Sequence, residues 1–254
     1  MRRTLALIVL AAALSGAQVQ AAELTVYTGG SMLEALKAAG ADFTKSTGDT
    51  LTFVSGTTGV LQQRLRAGEH ADVVVISVEG LAALQAEGLT DPAKPTPLAN
   101  AVLGVAVKAG AAKPNISTVD QFKAAMLAAR SVVYPDPALG ATSGVYLKAL
   151  FEQLGIAQAM AAKSSFRPIG ALAAQDVADG KAELVVTYVS EMTANRGVDI
   201  VGLLPAPILH PSAYAAAVSA KAADPAAARA FITFVTSAKE AGRLTAAGVQ
   251  PVRP

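Results

Sequence analysis

Two rhythms of apolar residues alternate along the chain. Short continuous runs at residues 24–27, 51–54, 73–76, 131–134 and 184–188 are rich in β-branched side chains and have the length of strands. Between them, apolar residues recur at helical spacing. Leu33, Leu36 and Phe43 predict a helix over residues 32–46, and a short helix follows over 60–67. Others carry Leu81 with Leu84, Phe122 with Met126 and Leu127, and Leu147, Leu150, Phe151 and Leu154. A helix is expected from Gly170 to Gly180, and two more, over 225–236 and 238–246, close the chain.

Strands alternating with such helices indicate an α/β fold of mostly parallel sheets flanked by helices. The run Val73-Val74-Val75-Ile76 has no polar alternation, as a strand buried on both faces requires. Pro92, Pro95 and Pro97 interrupt the pattern and close the opening segment of a first lobe; the strand expected over 101–107 then crosses between lobes. Later strands are expected over 199–204 and 213–219, around a loop holding Pro205, Pro207 and Pro211. Ser117-Thr118-Val119-Asp120 has the spacing of a helix-capping box.

Hydroxyls and glycines cluster at three strand-to-helix turns: Thr28-Gly29-Gly30-Ser31, Ser55-Gly56-Thr57-Thr58-Gly59 and Gly140-Ala141-Thr142-Ser143-Gly144. Gly170 starts a further helix, and Tyr188 stands at the carboxyl end of a strand, where ligands of open α/β sheets sit. The first N–H groups of a helix lack intrahelical acceptors and carry partial positive charge, so such turns favour an anion. The competing reading is that Thr57 or Thr58 only caps its own helix.

Composition narrows the chemistry. With 254 residues, 52% hydrophobic and 16% charged, the chain is globular, with room for one large or two small packed domains. Arg2 and Arg3, the apolar stretch 5–14 and Val19-Gln20-Ala21 fit a secretory signal over residues 1–21; Ser15, Gly16, Gln18 and Gln20 break it as a membrane span. Without Arg2 and Arg3 the formal charge of +2 becomes 0, which leaves no basic excess for nucleic acid or an anionic membrane. No cysteine occurs, excluding disulfides, thiolate metal sites, a cysteine nucleophile and an N-terminal lipid anchor. The mature chain is therefore expected to be soluble in an exported compartment, a periplasm.

No catalytic or metal-binding set emerges. His70 and His210 are far apart and read as loop residues, while Asp72, Asp136, Asp176, Asp179 and Glu183 read as caps, turns and solvated charges. No serine has the setting of a hydrolase nucleophile, and valine follows Gly59 and Gly144 where a phosphate loop needs lysine. What remains is a binder with neutral donors, suited to a tetrahedral oxyanion, with no cofactor and no metal.

Taken together, several segments resemble the periplasmic molybdate-binding proteins of ABC transporters. They are Gly30-Ser31, the Ser55–Gly59 loop with residues 61–68 and Ala71-Asp72-Val73 after it, the stretch from Asp136-Pro137 to Gly144-Val145-Tyr146, and Thr187-Tyr188-Val189-Ser190-Glu191. The resemblance runs over the whole mature chain in the same order. It implies the type 2 periplasmic binding fold: two α/β lobes joined by two crossover strands, closing by hinge motion over an anion. The first lobe would comprise residues 22–100 and 206–254, the second 101–205.

Matched position by position, Ser31 and Thr58 would bind from the first lobe by hydroxyl and amide, Ser143 and Gly170 by amides and Tyr188 by its phenol from the second. Gly30, Thr57 and Thr142 stand beside them. The implied partner is a membrane permease; a monomer is expected because no exposed apolar stripe stands out in the sequence. Thr57-Thr58 replaces serines, Thr142-Ser143 a proline-alanine pair and Gly29-Gly30 two alanines, which suggests a roomier or more polar pocket. Molybdate or tungstate is the first ligand expected and a small organic carboxylate the alternative, which Arg64 or Arg167 would favour if either reached the cleft rather than the surface. An enzyme is not expected, since no histidine, cysteine or lysine stands beside the hydroxyl loops; a sensory ligand-binding module remains a third reading.

Overall fold

A computed structural model describes residues 21–252. The signal expected over residues 1–21 lies outside the described residues, apart from Ala21. The chain opens with β1 (Glu23–Gly29), α1 (Gly30–Thr47), β2 (Thr50–Gly56), α2 (Thr58–Arg66), β3 (Val73–Ser77) and α3 (Val78–Ala86). Then come β4 (Thr96–Ala101), β5 (Leu103–Lys108), α4 (Val119–Ala128), β6 (Val132–Pro135), α5 (Thr142–Gln153) and the short α6 (Ala157–Ala161). The third stretch holds β7 (Ser164–Arg167), α7 (Gly170–Ala178), β8 (Leu184–Tyr188) and β9 (Val198–Leu203). Last are β10 (Ser212–Val218), α8 (Pro225–Val235), α9 (Ala241–Ala246) and β11 (Gln250–Pro251).

The strands form two sheets, ordered β11-β4-β10-β3-β1-β2 and β7-β6-β8-β5-β9, each flanked by helices in a two-lobed α/β architecture. The chain changes sheet at Val102, between β4 and β5, and returns between Leu203 and Ser212. The sheets are more mixed than the apolar runs suggest. Among the described residues, four strand pairs are parallel and five antiparallel. The reason is the crossover itself: β5 and β10 each enter their sheet from the side of the other lobe, so they run against strands whose carboxyl ends point there.

Val73–Ile76 is fully buried, with Val73 and Val75 packing in one apolar cluster and Val74 and Ile76 in another, as a strand covered on both faces must. Helix α1 follows β1 with no loop between. Its buried stripe is Met32, Ala35, Leu36, Ala39 and Phe43, so Met32 takes the inward place expected of Leu33. Phe43 meets Phe231 and Phe234 of α8 edge-on, at 5.3 and 5.5 Å between ring centres. Leu127 of α4 faces outward rather than inward, and the capping box sits one residue later than expected, with Thr118 and Gln121 as its reciprocal pair. The last helix begins at Ala241, three residues after its expected start.

Candidate functional site

The carboxyl ends of β1, β2, β6 and β8 meet between the two sheets, and α1, α2, α5 and α7 start there. They enclose a cavity of about 20 Å³, the room of about a single water molecule. From the first lobe it is lined by Gly30, Ser31, Gly56 and Thr57; from the second come Pro135, Ala141, Thr142, Ser143, Pro168, Ile169, Gly170, Tyr188 and Glu191. Seven of the eight residues expected at the site thus share one cavity. Thr58 does not line it; its hydroxyl lies 3.3 Å from that of Thr142, across the cleft.

The lobes touch directly at one rim. Thr57 Oγ1 donates to the carbonyl of Leu139, and the Gly59 N–H to that of Gly140 at 3.2 Å. Thr57 also caps α2, accepting from the Val60 N–H at 3.1 Å, so one residue both caps its helix and lines the cavity. Away from the cavity, Ser77, Thr118 and Asp224 cap α3, α4 and α8, while the short α6 and α9 have no side-chain cap. Helices α1, α5 and α7 open on the cavity with no side-chain cap of their own.

Ser31 is 3% exposed, and its hydroxyl, in the first turn of α1, makes no hydrogen bond of ordinary geometry among the described residues; the buried Tyr214 phenol lies beside it. Ser143 is equally buried in the first turn of α5. The Tyr188 phenol donates to Ser212 Oγ at 2.8 Å, and its ring meets that of Tyr214 edge-on at 6.2 Å. Burial pushes both phenols up, Tyr188 well above its ordinary value.

Glu191 is the charged residue of the cavity, and the hydroxyl and glycine pattern did not point to it. Its Oε1 accepts the Gly170 N–H at 2.9 Å, and its Oε2 accepts the Thr187 hydroxyl at 2.6 Å. The amide expected to hold a ligand from the start of α7 therefore holds a carboxyl group. Burial raises the Glu191 pKa, against the hydrogen bonds from Thr187, Gly170 and the Tyr188 amide. A Cβ on Gly30 would stand 2.5 Å from Oε1, and one on Gly170 2.0 Å from Oε2, so glycine is required on both sides of the group. The signal available in sequence was a lone acidic residue three positions beyond the end of β8. Tyr214 and Ser212, on the returning strand β10, were missed because that strand joins the site only through the sheet.

Among the described residues, no lysine, arginine or histidine lines the cavity. Arg64 pairs with Glu69 at 2.6 Å and lies 4.9 Å from the centre of the Tyr27 ring, and Arg167 pairs with Asp176 at 2.5 Å, so both guanidinium groups are engaged elsewhere. His70 contacts Asp72 and His210 stacks on Tyr146. Among the described residues no group of three or more His, Asp or Glu is placed to hold a metal, and no helix is long and apolar enough to cross a membrane.

The family description "bacterial extracellular solute-binding protein" matches residues 24–250. The chain belongs to this family. Solute-binding proteins of this kind bind small ligands outside the cytoplasmic membrane and work with ABC-type permeases. An aconitate isomerase from a Pseudomonas species is 33% identical over 238 residues, covering 90% of this solute-binding protein and 88% of the relative. In fold, it is similar to the periplasmic molybdate-binding protein of Azotobacter vinelandii, with a TM-score of 0.74 and 22% identity over 91% of this chain and 99% of that one. It is likewise similar to the sulfate-binding protein SubI from Mycobacterium tuberculosis H37Rv, with a TM-score of 0.69 and 22% identity over 92% and 88% of the two chains.

Proposed function

We propose that this solute-binding protein closes on a small organic polycarboxylate, of the class of the tricarboxylic acids, and delivers it as a monomer to a membrane permease from the periplasm. The observation that carries an anion is the buried Ser31 hydroxyl at the uncapped start of α1, which makes no hydrogen bond of ordinary geometry and lines a cavity without a cationic side chain. Ser31, Ser143 and the first amides of α1 and α5 are its neutral donors, with Thr57, Thr142 and Tyr188 shaping the walls and Thr58 acting from behind Thr142. Hydrogen bonds to a charged ligand contribute about 1.5–3 kcal/mol each, so a few such donors bind an anion without a counter-charge.

The relative at 33% identity supports a carboxylate over molybdate or tungstate, because its name gives it aconitate, an unsaturated tricarboxylate, as substrate. The closed cavity is smaller than any of these ligands. Entry therefore needs the lobes to part about the two crossovers, near Val102 and within residues 203–212.

Titration of the mature chain against cis- and trans-aconitate, citrate, propane-1,2,3-tricarboxylate, molybdate, tungstate and sulfate tests the reading. A ligand at 100 times its Kd adds about 2.7 kcal/mol to the folded state, a clear rise in Tm. A response to the carboxylates supports the proposal; a response to molybdate and tungstate alone replaces it with the oxyanion reading. A second reading is that the bound acid is isomerised, as the relative's name states for that protein. Glu191, a buried carboxyl group with a raised pKa in the cavity wall, favours it. Conversion of trans- to cis-aconitate by the purified chain, followed by chromatography, decides between binding and turnover.

A further inference from the structure

The carboxyl group of Glu191 stands where the two lobes converge on the cavity. Oε1 takes the first N–H of α7 from one side and faces the Gly30 Cα, at the start of α1, from the other. A ligand bound in this cavity meets that group directly, because Glu191 is part of the lining.

We infer that Glu191 is the specificity-determining residue of the cleft: it shares one proton with a carboxylate of the ligand, admitting acids that can supply or take up that proton and rejecting dianions that cannot. This rests on the reading of the cavity as an anion site and names what kind of anion it selects. Two negative oxygens brought together in a dry cavity repel strongly unless something neutralises one of them. No cation is available for that. The first turns of α1 and α7 carry no charged side chain, and the titratable groups of the strands that end at the cavity are the phenols of Tyr134 on β6, Tyr188 on β8 and Tyr214 on β10, all pushed up by burial and neutral, and Arg167 at the end of β7, which is paired with Asp176.

A proton is the remaining means. Protonated, Glu191 donates to the ligand through a short O–H···O⁻ bond, while its other oxygen keeps an acceptor for Gly170 or Thr187. Burial already favours the protonated form. A polycarboxylate whose last ionisation lies near neutrality meets this requirement from either partner. Sulfate and molybdate, fully ionised at neutral pH, bring no proton, and as weak bases they hold the Glu191 proton less strongly than a carboxylate does.

The test is calorimetry of the full mature chain with propane-1,2,3-tricarboxylate, a saturated probe that cannot isomerise, in buffers of different ionisation enthalpy. The expected result, at a pH above the raised value of Glu191 in the free protein, is uptake approaching one proton per ligand and an affinity that falls up to tenfold per pH unit. Glu191→Gln keeps the size of the side chain and its acceptor for Gly170. It should abolish the proton uptake, flatten the pH dependence and raise the affinity for sulfate or molybdate at least tenfold. Binding to the wild-type chain without proton uptake overturns the inference while leaving the anion site standing, and needs no variant to fold. Binding of none of these anions overturns both.

Discussion

Gly59 and Gly140 meet backbone to backbone across the cleft, the N–H of the first donating to the carbonyl of the second at 3.2 Å. This contact joins the lobes beside the cavity without taking part in its lining. A Cβ on Gly59 would stand 2.7 Å from the Leu139 carbonyl oxygen and 2.9 Å from the Gly140 Cα, both backbone atoms that cannot swing away. Gly59→Ala should therefore hold the lobes apart. Overpacking of this kind costs about 1–3 kcal/mol, which here falls on closure rather than on folding. Ligand affinity should drop roughly tenfold while the Tm of the ligand-free chain stays within a degree or two. Small-angle scattering with saturating ligand should show a larger radius of gyration than the wild type.

Ser31 offers the opposite contrast. A buried hydroxyl that makes no hydrogen bond of ordinary geometry is a cost to the ligand-free protein, and replacing it by a methyl group removes that cost. Ser31→Ala should leave the unliganded chain as stable as the wild type or more so, by up to about 1 kcal/mol. Its affinity should fall about tenfold, the loss of one hydrogen bond to a charged group. A fall in both quantities would mean that the hydroxyl serves the fold instead.

Glu191 also fixes a pH dependence of folding. Its folded-state pKa is raised, so between the ordinary carboxylate value and that raised value the native state holds a proton that the unfolded chain has released. The stability it contributes is full below the ordinary value and is lost as the pH rises through the raised one. Glu69, Glu87 and Glu183 have lowered values beside Arg64, Arg66 and Arg130 and act in the opposite sense, but equally in any variant at Glu191. Denaturant titrations from pH 4 to 8 should therefore show a wild-type minus Glu191→Gln difference that declines with pH. A flat difference would place the proton elsewhere.

How much of this was legible beforehand follows from the range of the interactions involved. Val73–Ile76 and Leu184–Tyr188 announced themselves because a strand covered on both faces must be apolar throughout. The hydroxyl turns were legible because helix starts and glycines are local features. The antiparallel entry of β5 and β10 was not, since it depends on pairing between segments about a hundred residues apart. Neither was the register at α2: the helix begins at Thr58, so Thr57 becomes its cap and faces the cavity while Thr58 turns toward Thr142. Glu191 escaped for a third reason. Gly30 and Gly170 were expected at the site, but as backbone donors to a ligand; that they instead make room for a carboxyl group depends on side-chain packing that the sequence does not show.

The Tyr188–Ser212 hydrogen bond separates a structural from a ligand-binding role for the phenol. Tyr188 ends β8 in the second sheet and Ser212 begins β10 in the first, so their 2.8 Å bond ties the sheets together at the cavity wall. Desolvation keeps the phenol protonated, so it acts as a donor throughout the physiological pH range. Tyr188→Phe and Ser212→Ala should each weaken binding, and if the bond serves closure alone the double variant should be no worse than the poorer single one, with a coupling of about 0.5–1.5 kcal/mol in the affinity cycle. If the phenol instead turns to the ligand when it binds, Tyr188→Phe should cost about tenfold in affinity whether or not Ser212 is present, and the coupling should vanish. Isothermal titration of the four proteins with one tricarboxylate distinguishes the two arrangements.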